Sequence, residues 1–136
     1  MIVKRIVWVA LLVLGFAVSA QAQTPVLAYV NQYPDMGLIH VDLRVNNWQV
    51  YPAALFAPAP NLPPCGANPD SSRTWVEIYN RATNNAIYGF CALREPIQLT
   101  RLWFATPPAK KPKLVYIIMI DRLAKKKYIS NTVAIP

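Results

Sequence analysis

Acidic side chains, histidine and glycine are all scarce in this 136-residue chain. There are six acids (Asp35, Asp42, Asp70, Glu77, Glu95 and Asp121), one histidine, His40, and four glycines. Acid–base and nucleophilic chemistry need groups that take or give a proton or attack the substrate, held close together. Scattered acids and a lone imidazole do not supply that. No G-x-S-x-G elbow, H-E-x-x-H pair or glycine-rich phosphate loop occurs. His40 and Asp42 are two apart and would share one face of a strand. A small hydrolase built on this pair is the catalytic alternative, but no nucleophile is marked for it. The chain is therefore expected to be non-catalytic and to need no cofactor. A metal site would have to draw on His40, Met36 and Met119. Met119 falls in an apolar run and belongs to a core, and a soft metal wants more imidazole or thioether ligands than remain. No metal site is expected.

Cysteine is nearly absent too. Cys65 and Cys91 are 26 positions apart, far from the C-x-x-C spacing of a redox pair, and two thiols alone make a poor metal site. A single structural disulfide is expected, which implies an oxidising compartment. Closing that loop would add about 3–4 kcal/mol on the chain-entropy model.

Beyond residue 22 no hydrophobic run is long enough to span a bilayer as a helix, which takes about 20 residues. The N-terminal 22 residues are different. Lys4 and Arg5 precede an uncharged apolar stretch of 13 residues at 6–18, and Ala20-Gln21-Ala22 fits a small-x-small cleavage rule. Residues 1–22 are predicted to be a cleaved signal peptide and residues 23–136 a single domain. No cysteine lies at the cleavage point to carry a lipid. The expected location is periplasmic or secreted, with no stable membrane span after cleavage.

Removing residues 1–22 takes away Lys4 and Arg5 and leaves 12 basic against six acidic residues, a net charge of +6. Such a charge keeps a small protein soluble and gives it a weak attraction to anionic surfaces. Lys110, Lys111 and Lys113 precede the apolar run at 114–120, and Lys125, Lys126 and Lys127 follow it. As a strand that run is roughly 25 Å long, so the two groups belong at opposite poles. They do not form one patch, and no basic motif interleaved with aromatics is present. No nucleic-acid partner is expected.

The run itself, Leu114 through Ile120, is seven apolar residues rich in β-branched side chains. It predicts a central strand buried on both faces. Asp121 to Lys127 turns the chain, and 128–133 returns with Ile129 and Val133 on one face and Tyr128, Ser130 and Thr132 on the other. Earlier, 26–30 predicts a strand beside Pro25, and 33–37 a turn. Residues 38–45 alternate, with Ile39, Val41, Leu43 and Val45 toward a core and His40, Asp42 and Arg44 toward water. A short strand is expected at 48–51. The segment 52–69 holds six prolines and no charge. It predicts an extended crossover with Leu55, Phe56 and Leu62 beneath it and Cys65 tying down its end. Strands are expected at 74–79, with Val76 and Ile78 inward, and at 86–93, the latter central. Residues 97–106 are expected to be extended, with Leu102 and Phe104 inward. The whole is seven or eight short strands with proline-rich connections and no helical period: an all-β antiparallel sandwich.

Pro112, Leu114 and Tyr116, then Asp121-Arg122 at the turn, then Ser130 to Val133, resemble the closing hairpin of a fibronectin type III or immunoglobulin-like domain. The likeness covers about the last 25 residues. It implies a sandwich fold and a habit of binding or spacing, with no particular ligand. Tyr116 stands where such domains often place a core or corner tyrosine.

Trp48, Trp75, Trp103 and Tyr79 fall on faces expected to point outward, where aromatics suit a protein or glycan partner. The function expected from sequence is a non-catalytic exported binding or structural module of a bacterial envelope. Strand addition by residues 23–30 to a neighbour's sheet is a further alternative.

Overall fold

The computed structural model describes residues 23–66 and 71–136. The signal-peptide assignment at 1–22, and the last three residues of the proline-rich connection, lie outside them. Among the described residues there are eight strands: β1 (Leu27–Asp35), β2 (Leu38–Val45), β3 (Thr74–Asn80), β4 (Asn85–Phe90), β5 (Leu102–Thr106), β6 (Leu114–Asp121), β7 (Lys126–Ile129) and β8 (Val133–Ala134). They build two antiparallel sheets, in the order β1-β2-β5 and β4-β3-β6-β7, with β8 pairing the near end of β6. Among the described residues no helix is long and apolar enough to cross a membrane.

The alternating pattern of β2 does what its side chains require. Val41, Leu43 and Val45 are fully buried, and with Leu27, Leu102 and Phe104 they form the inner face of the smaller sheet. Val76, Ile78, Val115, Ile117 and Met119 form the inner face of the larger one. These two apolar faces close on each other and exclude water, which is the main source of stability.

The first hairpin is tighter and longer than the sequence suggests. β1 runs on through Pro34, which is tolerated because β1 is an edge strand. Asp35 pairs with Leu38 across a two-residue turn, with φ of 50° at Met36 and 81° at Gly37. Two positive φ values in a row suit the twist of a hairpin, but methionine is poorly adapted to the left-handed region. Met36 is 96% exposed, so it has almost no contacts to lose. Met36→Asn is expected to raise stability by about 0.5–1 kcal/mol, since asparagine tolerates this conformation. A urea midpoint that falls instead would contradict that account.

Four expectations are corrected. Residues 48–51 do not start a strand. Trp48–Val50 is a 3-10 turn, and Asn47 beside it spends its side chain on the backbone of Val26 and Thr24. Residues 97–106 are not extended throughout, because Pro96–Thr100 forms a 3-10 helix before β5 begins. The Gln98 side chain accepts from the Glu95 amide at 2.9 Å and fixes that turn. The strand expected at 86–93 ends at Phe90 and lies at the sheet's edge. Its apolar second face is explained by aromatic contacts beyond the edge, described below. Finally, the strand expected at 128–133 is interrupted after Ile129, and Ile129 and Val133 do not share a face, since Val133 packs against the core. Tyr128 pairs with Met119 and turns inward, while Ile129 pairs with Ile118 and is 54% exposed. The register set by β6 overrides the apolar character of Ile129.

The proline-rich connection is shorter on extended chain than expected. Its first part is a 3-10 turn, Ala53–Phe56, which drives Leu55 and Phe56 into the core. Leu62 is only half-buried. The backbone at 57–59 then pairs with 71–73, and the Cys65–Cys91 disulfide ties the connection to the end of β4. The connection does carry the chain from the smaller sheet to the larger one.

At the opposite side, β1 is clasped to the strand pair β7–β8. The Asn131 side chain accepts from the Leu27 amide at 2.8 Å and donates to its carbonyl at 3.0 Å, as a neighbouring strand would. Segment 23–30 is thus held in its own sheet.

Candidate functional site

Outward-facing residues of the larger sheet form a second apolar surface. Val76 and Ile78 are fully buried, so Trp75, Glu77 and Tyr79 on β3 point the other way. Strand register sets Ile120 beside Trp75, Ile118 beside Glu77 and Tyr116 beside Tyr79. One strand further, Ile129 stands beside Ile118 and Lys127 beside Ile120. Trp75, Tyr79, Ile118 and Ile120 are half-buried, and among the described residues no second sheet layer accounts for that apolar character.

Each end of this surface is held rigidly. At one end Tyr79 stacks on Tyr116, centroids 5.4 Å apart at 14°, and Arg81 stands 5.4 Å from the Tyr116 ring. The Tyr116 hydroxyl donates to Asn84 Oδ1 at 3.0 Å, so this tyrosine ties the outer face to the β3–β4 turn. Burial, and then the neighbouring Glu77 carboxylate, push the Tyr79 phenol up. At the other end the Arg122 guanidinium lies 4.1 Å from the Trp75 ring. It donates to the carbonyls of Pro63 at 2.7 Å and Ser72 at 2.6 Å, and to Ser71 Oγ at 3.1 Å. Burial shifts Arg122 downward, because desolvation disfavours its charged form. The indole N–H of Trp75 is buried and has no acceptor among the described residues.

A shallow pocket of about 180 Å³ opens beside Trp75, lined by Glu77, Gly89, Phe90 and the Cys65–Cys91 disulfide. Gly89 faces Glu77 across the strand pair and carries no side chain to fill the space.

Trp103 belongs to a different surface. It is on the outer face of the smaller sheet, where His40 is stacked between two rings. Tyr33 lies 4.7 Å away at 22° and Trp103 5.1 Å away at 14°. Tyr88 of β4 continues the row, 4.7 Å from Trp103, and Phe90 meets Trp103 edge-on at 6.3 Å. Tyr88 and Phe90 pair with the inward-facing Ile78 and Val76, so they start from the inner side of β4 and reach past the edge of β5. Centroids this close with nearly parallel planes mean that the rings cover one another's faces. Through Tyr88 and Phe90 the row links the edge of β4 to the outer face of the smaller sheet, with Tyr33 and Tyr88 still exposed.

His40 and Asp42 do meet, with Nε2 and Oδ1 2.9 Å apart. Both ring faces of the imidazole are covered, one by Tyr33 and the other by Trp103, so the pair lies within an aromatic stack.

Of the four aromatics expected to share a binding surface, only Trp75 and Tyr79 come together. Trp48 is corrected outright, since it packs against the core from its 3-10 turn. The sequence missed Ile118, Ile120 and Ile129 as surface residues. The unbroken run at 114–120 conceals that only its odd positions, Val115, Ile117 and Met119, enter the core. No family model, no curated protein and no solved structure matches this chain.

Proposed function

We propose that this chain is an exported, non-catalytic β-sandwich that binds a protein partner through the outer face of its larger sheet. The observation that carries the reading is the apolar strip of Trp75, Tyr79, Ile118, Ile120 and Ile129 on a face with no sheet of its own against it. Aromatic and aliphatic residues around the single carboxylate of Glu77, with arginine and lysine at the margin, resemble the make-up of a protein interface. Pinning of Trp75 and Tyr79 lowers the ordering cost of docking. The disulfide supports an oxidising location, periplasmic or outside the cell. The strand order also resembles that of immunoglobulin-like and fibronectin type III modules, in which first, second and fifth strands face a sheet built on third, sixth and seventh. That likeness supports a binding or spacing role and no specific chemistry.

A photo-reactive residue at position 129 is expected to cross-link one discrete envelope protein, and one at position 105, on the smaller sheet, is not. Ile129→Asp should weaken co-purification of that protein by about 30-fold or more. Retention unchanged by Ile129→Asp would overturn the reading. Loss of binding on Trp103→Ala, with Ile129→Asp silent, would shift the site to the smaller sheet and favour a glycan.

A further inference from the structure

The hairpin between β6 and β7 ends in an arrangement that the sheet face does not explain. Leu123 stands at the tip, 62% exposed, next to exposed Ala124 and followed by exposed Lys125, Lys126 and Lys127. A large aliphatic side chain held out among three cations gains nothing from water.

The tip is also stiff. Asp121 Oδ1 accepts from the amides of Leu123 at 3.2 Å and Ala124 at 3.1 Å, and Arg122 is tied to Pro63, Ser71 and Ser72. Lys125 turns the chain with a φ of 56°. The Asp121 carboxylate at the base of the tip has 2% of its side chain exposed and is paired with Arg73, so among the described residues of the hairpin the exposed charges are its lysines.

We infer that this tip docks the protein on an anionic phospholipid bilayer, with Leu123 entering the headgroup region and the lysines against the lipid phosphates. Charge complementarity selects an anionic surface, since each cation near such a surface strengthens binding about five-fold at low salt. The exposed leucine selects a bilayer over a soluble polyanion, because only a bilayer offers an apolar layer beneath its charge. The lysines at 110–113 sit at the far pole, beyond the start of β6, and cannot touch the same surface. This inference does not depend on the sheet-face reading above, which rests on Trp75, Tyr79 and the isoleucines; Lys127 borders both surfaces.

The test compares variants of the full chain on phosphatidylglycerol and phosphatidylcholine vesicles at low salt, so any contribution from residues 1–22 is common to all. Lys126→Gln with Lys127→Gln is expected to cut the preference for phosphatidylglycerol about 25-fold. Lys110→Gln with Lys113→Gln removes the same charge from the other pole and should change it less than two-fold. Leu123→Ser should weaken binding to phosphatidylglycerol vesicles about ten-fold while leaving heparin retention unaltered. All five positions are exposed, and near-ultraviolet dichroism verifies that the fold is intact. Equal losses from the two lysine pairs would reduce the effect to overall charge and overturn the proposal. Vesicle affinity indifferent to Leu123→Ser would overturn it in favour of a soluble polyanion.

Discussion

Asp121→Ala is expected to cost about 3–4 kcal/mol of folding stability at neutral pH. Asp121 closes β6 with its side chain buried, and it accepts two hydrogen bonds from Arg73, from Nε and Nη2, each at 2.9 Å. It also accepts the amides of Leu123 and Ala124. Removing it leaves a half-buried guanidinium without its partner and two turn amides without an acceptor. Breaking a buried pair in this way costs about 3–5 kcal/mol, and the lower part of that range applies because Arg73 is still 24% exposed to water. Burial alone would raise the Asp121 carboxyl, but the hydrogen bond and charge of Arg73 and the amides of Ala124 and Leu123 outweigh it. The carboxyl is therefore held below its ordinary value of 3.8. A carboxyl that is more acidic folded than unfolded contributes stability that is complete above its unfolded value. That contribution is lost as pH falls through the folded value. Urea unfolding of the wild type and the variant should show a constant gap from about pH 7 to 5 and a gap that closes below about pH 4. A gap under about 1 kcal/mol at pH 7, or one that widens on acidification, would remove Asp121 from this role.

Replacing both cysteines, Cys65→Ser with Cys91→Ser, is expected to cost about 3–4 kcal/mol. The bond closes a loop of 26 positions, and on the chain-entropy model a loop of that size restricts the unfolded chain by this amount. Its place in the fold makes the effect local as well. Cys91 follows β4, an edge strand, and Cys65 ends a connection with few ladder hydrogen bonds of its own. Without the bond, the connection between β2 and β3 is held by Leu55 and Phe56 in the core and by the short pairing of 57–59 with 71–73. Proteolysis of the variant should therefore begin in the connection before the sheets open. A loss below about 1 kcal/mol would mean that this packing alone holds the connection.

Much of the fold was legible because strand alternation is a local property. The pattern at 38–45 named Val41, Leu43 and Val45 as core, and that at 74–79 named Val76 and Ile78, and all five are fully buried. The cysteine pairing was legible for a simpler reason, since two thiols in an oxidising setting have one partner each. Trp48 was misplaced because its segment is shaped from elsewhere in sequence. Asn47, 21 positions from Val26, supplies an acceptor that bends the chain there. The break between β7 and β8 was illegible for a related reason: the Ser130 hydroxyl accepts the Ile117 amide at 2.8 Å in the ladder's stead.

By itself the sequence determined an all-β chain, the periodic core of β2 and β3, and a central strand at 114–120. Local alternation and β-branched content are sufficient for each of these. Only the tertiary structure decided which side of that strand is covered. Residues 115–120 are apolar on both sides, so nothing local distinguishes Ile117 from Ile118. Pairing with β3 and β7 makes the choice, sending Val115, Ile117 and Met119 inward and leaving Ile118 and Ile120 beside Trp75 and Ile129 on the outside. A strand carries its period in its own residues, but the direction of that period is set by the neighbours it pairs with.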